Sequence, residues 1–162
     1  MFRSRTSHHP VLGGSRNVIF DIGRFQRDGA GLFRYRKPMQ SIFLVFLGAG
    51  FGGTLRHGVN MAAMRYGAAG FPWGTLCINV AGSFVMGTFA AWFSGSEAPQ
   101  PLRLFLMTGV LGGFTTFSAF SLETIVLWER GQAADAALYV VGSVGLSLAG
   151  LVAGLSLVRS LT

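Results

Sequence analysis

The sequence predicts an all-α integral membrane protein of four transmembrane helices. Hydrophobic residues make up 51% of the chain and charged residues only 12%, which leaves a domain of 162 residues without the polar surface that water requires. Beyond Gln40 the charges are Arg56, Arg65, Arg103, Arg130 and Arg159 against Glu97, Glu123, Glu129 and Asp135, and the stretches between them are long enough to cross a bilayer. Short connectors rich in glycine and proline separate those stretches, so neighbouring helices are expected to alternate in direction.

Residues 1–38 form a basic head. Arg3, Arg5, Arg16, Arg24, Arg27, Arg34, Arg36 and Lys37 are opposed there only by Asp21 and Asp28. Its longest apolar patch, Val18 to Phe20, is three residues, so it holds neither a signal core nor a span. The head is expected to be disordered. It reads either as an organellar transit peptide or as an over-extended start, and Met39, placed just before the first hydrophobic run, is the expected start residue. Such a patch suits anionic lipid or nucleic acid, but it ends where the nearly neutral body begins, and nucleic-acid binding is not expected.

The body, residues 39–162, holds the four spans. The first runs from Ser41 to Met64, the second from Trp73 to Phe93, the third from Leu102 to Trp128 and the fourth from Ala134 to Val158. All four are hydrophobic around the whole helix, as lipid requires. Glycines recur four apart at Gly48 and Gly52, Gly109 and Gly113, and Gly150 and Gly154, the spacing that lets helix backbones approach in a membrane. Cys77 is the single cysteine, so no disulfide framework or thiolate cluster exists, and it is expected to be a small packing residue. Four helices alone are too few to enclose an aqueous vestibule, so oligomerisation is expected.

The third span differs from the others. Gly112-Gly113 and Thr115-Thr116 are pairs that disfavour an uninterrupted helix, and a break there frees backbone groups that hydrocarbon cannot satisfy. Interrupted helices near the midplane are where ion sites are built. Phe114, Phe117 and Phe120 recur at intervals of three, and their positive ring edges attract an anion without a fixed cation, unless they serve only as lipid-facing or core residues.

Polar stripes complete the pattern. Thr75, Asn79 and Ser83 lie four apart on the second span, and Tyr139, Ser143 and Ser147 lie four apart on the fourth. The Asn79 amide donates two hydrogen bonds and marks either interhelical glue or a permeation path. Glu123, near the far end of the third span, either caps such a path or sits at the interface. A path of hydroxyls and amides with no intramembrane lysine suits a small ion in rapid passage.

The runs Gly74-Thr-Leu-Cys-Ile-Asn-Val-Ala-Gly-Ser-Phe and Gly112-Gly-Phe-Thr-Thr-Phe-Ser-Ala-Phe-Ser-Leu-Glu resemble the signature segments of the CrcB/Fluc fluoride channel family. The likeness extends to Gly48–Arg56 and covers residues 39–162, leaving the head outside. It implies an antiparallel, dual-topology homodimer in the plasma or bacterial inner membrane, surrounded by lipid, with two fluoride pathways and a structural sodium ion at the dimer interface. Asn79 would be the pore amide donor and Phe117 and Phe120 the pore aromatics. The backbone carbonyls of Gly112 and Thr115 would hold the sodium, Thr75, Ser143, Ser147 and Glu123 would form a polar track, and Tyr139 would neighbour it. His57 and Ala119 depart from the family pattern at positions expected to touch no pore group.

Other classes fit less well. A small multidrug exporter needs an acid within its first span, and residues 41–55 contain none. An intramembrane serine protease needs a Ser-His pair at depth, whereas His57 is the body's one histidine and has no nucleophile motif near it. No enzyme activity is expected. A dimeric transporter of another substrate and a structural membrane protein are the remaining alternatives.

Overall fold

A computed structural model describes residues 38–66 and 70–161, so the head expected at residues 1–38 lies almost entirely outside the described residues. Helix α1 spans Pro38–Tyr66 and helix α2 spans Trp73–Ser94. Helix α3 covers residues 100–114 in three segments: a turn at Gln100–Arg103, a π-helical stretch at Leu104–Leu111 and a last turn at Gly112–Phe114. Helix α4 spans Phe117–Glu129 and helix α5 spans Ala133–Leu161.

Taken with α3 and α4 as one crossing, four segments are long and apolar enough to traverse a membrane. At 29 residues, α1 and α5 each reach roughly 43 Å at 1.5 Å per residue, beyond the hydrocarbon core of about 30 Å. No more than 22% of the apolar window of any span is buried within the chain, so most of these side chains face outward. In water that surface would be prohibitive; in lipid it is the expected state. Cys77 belongs to the outward set, exposed on α2 rather than packed, since a weakly polar thiol needs no protein partner in hydrocarbon.

Backbone contact between glycines joins the helices. The Cα of Gly48 on α1 lies 2.9 Å from where a β-carbon on Gly109 would sit, and the Ala49 carbonyl lies 2.6 Å from the same point on Gly113. Gly109 and Gly113 are therefore packing residues for α1 as much as part of the unusual run that follows. A side chain at Gly87 would strike the Leu151 carbonyl, and one at Gly154 would strike that of Phe84, so α2 and α5 are equally close. Such approaches replace the hydrophobic effect as the source of association, because lipid tails are as apolar as the helices.

The connectors end the helices by identifiable means. Gly131, with φ of 78°, lets α4 close with paired hydrogen bonds from Gly131 N to the Trp128 carbonyl (2.9 Å) and from Gln132 N to the Leu127 carbonyl (3.0 Å). Between α2 and α3 the Arg103 guanidinium reaches back and donates to the carbonyls of Phe93 (2.6 Å) and Ser96 (2.9 Å), tying down the end of α2.

Candidate functional site

Between α3 and α4 the backbone is extended at two residues, with ψ of 157° at Thr115 and φ and ψ of −152° and 120° at Thr116. Two adjacent β-branched residues favour those angles. The exposed polar groups are satisfied from α2. Asn79 accepts from the Thr116 N–H through Oδ1 at 2.9 Å and donates from Nδ2 to the Thr116 carbonyl at 3.1 Å. Thr116 also caps α4, its Oγ1 accepting from the Ala119 N–H at 3.2 Å.

These contacts divert donors. In a continuous helix Thr116 N–H would serve the Gly112 carbonyl and Ala119 N–H would serve the Thr115 carbonyl. Here both donors are engaged elsewhere, so those two carbonyls lose the partners a helix would provide. They are the pair that the resemblance assigns to a sodium ion. Among the described residues no group of three or more His, Cys, Asp and Glu gathers into a metal site.

A second junction lies where α2, α4 and α5 meet. Thr75 Oγ1 donates to Glu123 Oε1 at 2.9 Å, and the Tyr139 hydroxyl donates to Oε2 at 2.6 Å. Thr75 and Tyr139 are 1% and 0% exposed, so both carboxylate oxygens are held from fully buried side chains. The Phe120 ring lies 5.2 Å from that of Tyr139 and 5.5 Å from that of Phe117, centroid to centroid.

On one side of this junction a groove of about 290 Å³ is lined by Asn79, Ser83, Phe117, Phe120, Ser143 and Ser147 among others, none of them charged. The Ser143 and Ser147 hydroxyl oxygens are buried and make no hydrogen bond of good geometry, although Ser143 stands beside the Tyr139 hydroxyl. Buried hydroxyls are seldom left so. On the other side a cavity of about 510 Å³ is lined by His57, Asn60, Phe71, Trp73, Thr75 and Glu123 among others.

The candidate residues thus divide between two places. Asn79, Ser83, Phe117, Phe120, Ser143 and Ser147 meet in the groove, whereas Thr75, Tyr139 and Glu123 form the junction beyond it. Phe114 leaves the aromatic set, since it precedes the extended residues and packs beside Gly82. His57, expected to touch no pore group, shares a cavity with Thr75 and Glu123, because the junction opens toward α1. Asn60 and the backbone of Thr116 were missed altogether. Asn60 sits one turn from Arg56 and His57 near the end of the first span, which reads as an ordinary interfacial cluster, and no property of the Thr116 side chain announces what its backbone does.

Four apolar crossings around an uncharged, hydroxyl-bearing groove define a multi-pass membrane protein. Residues 43–155 match the family described as CrcB-like protein, Camphor Resistance (CrcB), and the chain belongs to that family. Among its relatives, the fluoride-specific ion channel FluC 2 of Nitrobacter hamburgensis is 60% identical over 121 residues, 74% of this chain and 97% of the relative. The fluoride-specific ion channel FluC of Methylobacterium nodulans is 57% identical over 122 residues, covering 75% and 98%. That of Granulibacter bethesdensis is 56% identical over 124 residues, covering 76% and 98%.

Proposed function

We propose that this chain is a fluoride-selective channel that lets the cytoplasmic anion leave passively and so lowers its toxicity. The observation that carries this reading is the pair of buried hydroxyls of Ser143 and Ser147, neither making a hydrogen bond of good geometry, on residues that line the same groove as Asn79, Phe117 and Phe120. A small, strongly hydrated anion needs several close donors to replace its water. Two hydroxyls, the second Nδ2 hydrogen of Asn79 and the positive edges of two rings offer that replacement without a fixed cation that would trap the ion. Glu123 is tolerated beside such a path because Thr75 and Tyr139 direct their protons onto both of its oxygens.

Purified protein in liposomes is expected to release trapped fluoride within seconds of valinomycin addition, read with a fluoride electrode, while trapped chloride stays. Equal release of both anions, or of neither, overturns the reading.

The working unit is read as an antiparallel homodimer in which the third crossing is interrupted within the membrane. Support comes from the charge count of the body taken without the basic head: Arg103 and Arg159 flank one side and Arg65 and Arg130 the other, a balance that gives insertion no preferred direction, whereas the eight basic residues of the head, where present, would favour one. The Gly112 and Thr115 carbonyls, deprived of their helical donors, would hold the structural sodium, whose charge would fix the broken segments of two subunits against each other. A crystal structure of the purified protein is expected to show a two-fold antiparallel pair with a sodium-sized peak at those carbonyls. A parallel pair, or carbonyls met only by protein donors, defeats this arrangement.

A further inference from the structure

The cavity beyond the junction is larger than the groove and contains the body's one histidine. We propose that it is the outer mouth of the fluoride path and that His57, when protonated, concentrates fluoride there and so sets the rate of access; this rests on the channel reading above. Three observations carry it. Thr75 and Glu123 line the cavity and are hydrogen-bonded to each other, so the space abuts the junction directly. From there contact continues through Tyr139 to Phe120, which lines the groove. The opening is polar on its α1 side, where His57 and Asn60 lie one turn apart.

The charge balance of the mouth depends on His57. Of the titratable groups lining it, α1 supplies His57 and α4 supplies Glu123, while the α2 residues there and the preceding Phe71 and Pro72 supply none. Tyr139 of α5 faces Glu123 from behind. With neutral histidine the one formal charge is the Glu123 carboxylate, which repels an anion. A protonated His57 cancels that field and raises local fluoride.

The test is fluoride current in planar bilayers at limiting fluoride and low ionic strength, with the same pH on both sides, stepped from 8.0 to 5.5. Protein-free membranes supply the correction for hydrogen fluoride leak. Wild-type current is expected to rise roughly twofold, the size expected of one unit charge acting through water over several ångströms. His57→Gln is expected to be flat over this range, and His57→Arg to remain high throughout. The response is also expected to vanish at high salt, where screening shortens the field. A wild-type response that persists in His57→Gln, or a wild type that conducts without any response, overturns the proposal. A protein that conducts no fluoride at any pH fails the channel reading instead. His57 is exposed on α1, and size-exclusion profiles of both variants in detergent establish that each is folded.

Discussion

Asn79→Asp is expected to slow fluoride efflux by two to three orders of magnitude while the protein still purifies as a single species. Two effects act together. The substituted carboxylate has no hydrogen to donate to the Thr116 carbonyl, so one half of the clamp on the extended backbone is lost and two oxygens face each other. It also adds negative charge to a groove whose lining has none. At about 4 Å and an effective dielectric of about 20, like charges repel by about 4 kcal/mol, close to three decades in rate. Asn79→Leu separates the contributions, since it removes the clamp without adding charge and is expected to lose less. Efflux from liposomes is the measurement. Wild-type efflux in Asn79→Asp removes Asn79 from the path.

Phe117→Ile is expected to slow efflux roughly tenfold or more. Phe117 is 78% exposed within the chain, so its replacement costs little internal packing, yet it lines the groove beside Phe120. Isoleucine fills similar volume but has no positive edge, and the loss of an aromatic edge contact is of the order of 1 kcal/mol or more when the site is desolvated. Phe120→Ile is a less direct probe, because Phe120 is 8% exposed and also packs on Tyr139, the residue that orients Glu123. The same liposome assay decides the matter: unchanged efflux in Phe117→Ile assigns that ring to lipid or to a packing contact.

Much of this molecule was legible from local chemistry. Lipid has no hydrogen bonds to offer, so a chain that crosses it must place helices wherever long apolar runs occur, and the charges and the glycine- and proline-rich connectors of residues 40–162 bound most of those runs, with Arg56 and Glu123 falling inside the first and third. Helical spacing of four also identified Thr75, Asn79 and Ser83 as one group and Tyr139, Ser143 and Ser147 as another, because a helix presents such positions on one face whatever surrounds it. The glycine pairs announced close approach for the same reason, although spacing could not say which helix each would meet.

Partnership between helices was decided only by the tertiary structure. Asn79 and Thr116 are 37 positions apart, and Thr75 and Glu123 are 48 apart, and nothing in either local run specifies the other. Spacing treats Thr75 and Asn79 as equivalent, but packing sends one to a carboxylate and the other to a backbone amide and carbonyl. Leu104–Leu111 carries no residue that foretells π-helical geometry, and within it Gly109 meets the α1 backbone at Gly48. His57 belongs with these. A histidine near the end of an apolar span is unremarkable in sequence, and it acquires a place beside Glu123 because α1 and α4 flank one cavity. Secondary structure in a membrane follows from the solvent that each segment must satisfy alone, whereas a polar site follows from which unsatisfied groups the packed helices bring within hydrogen-bonding distance.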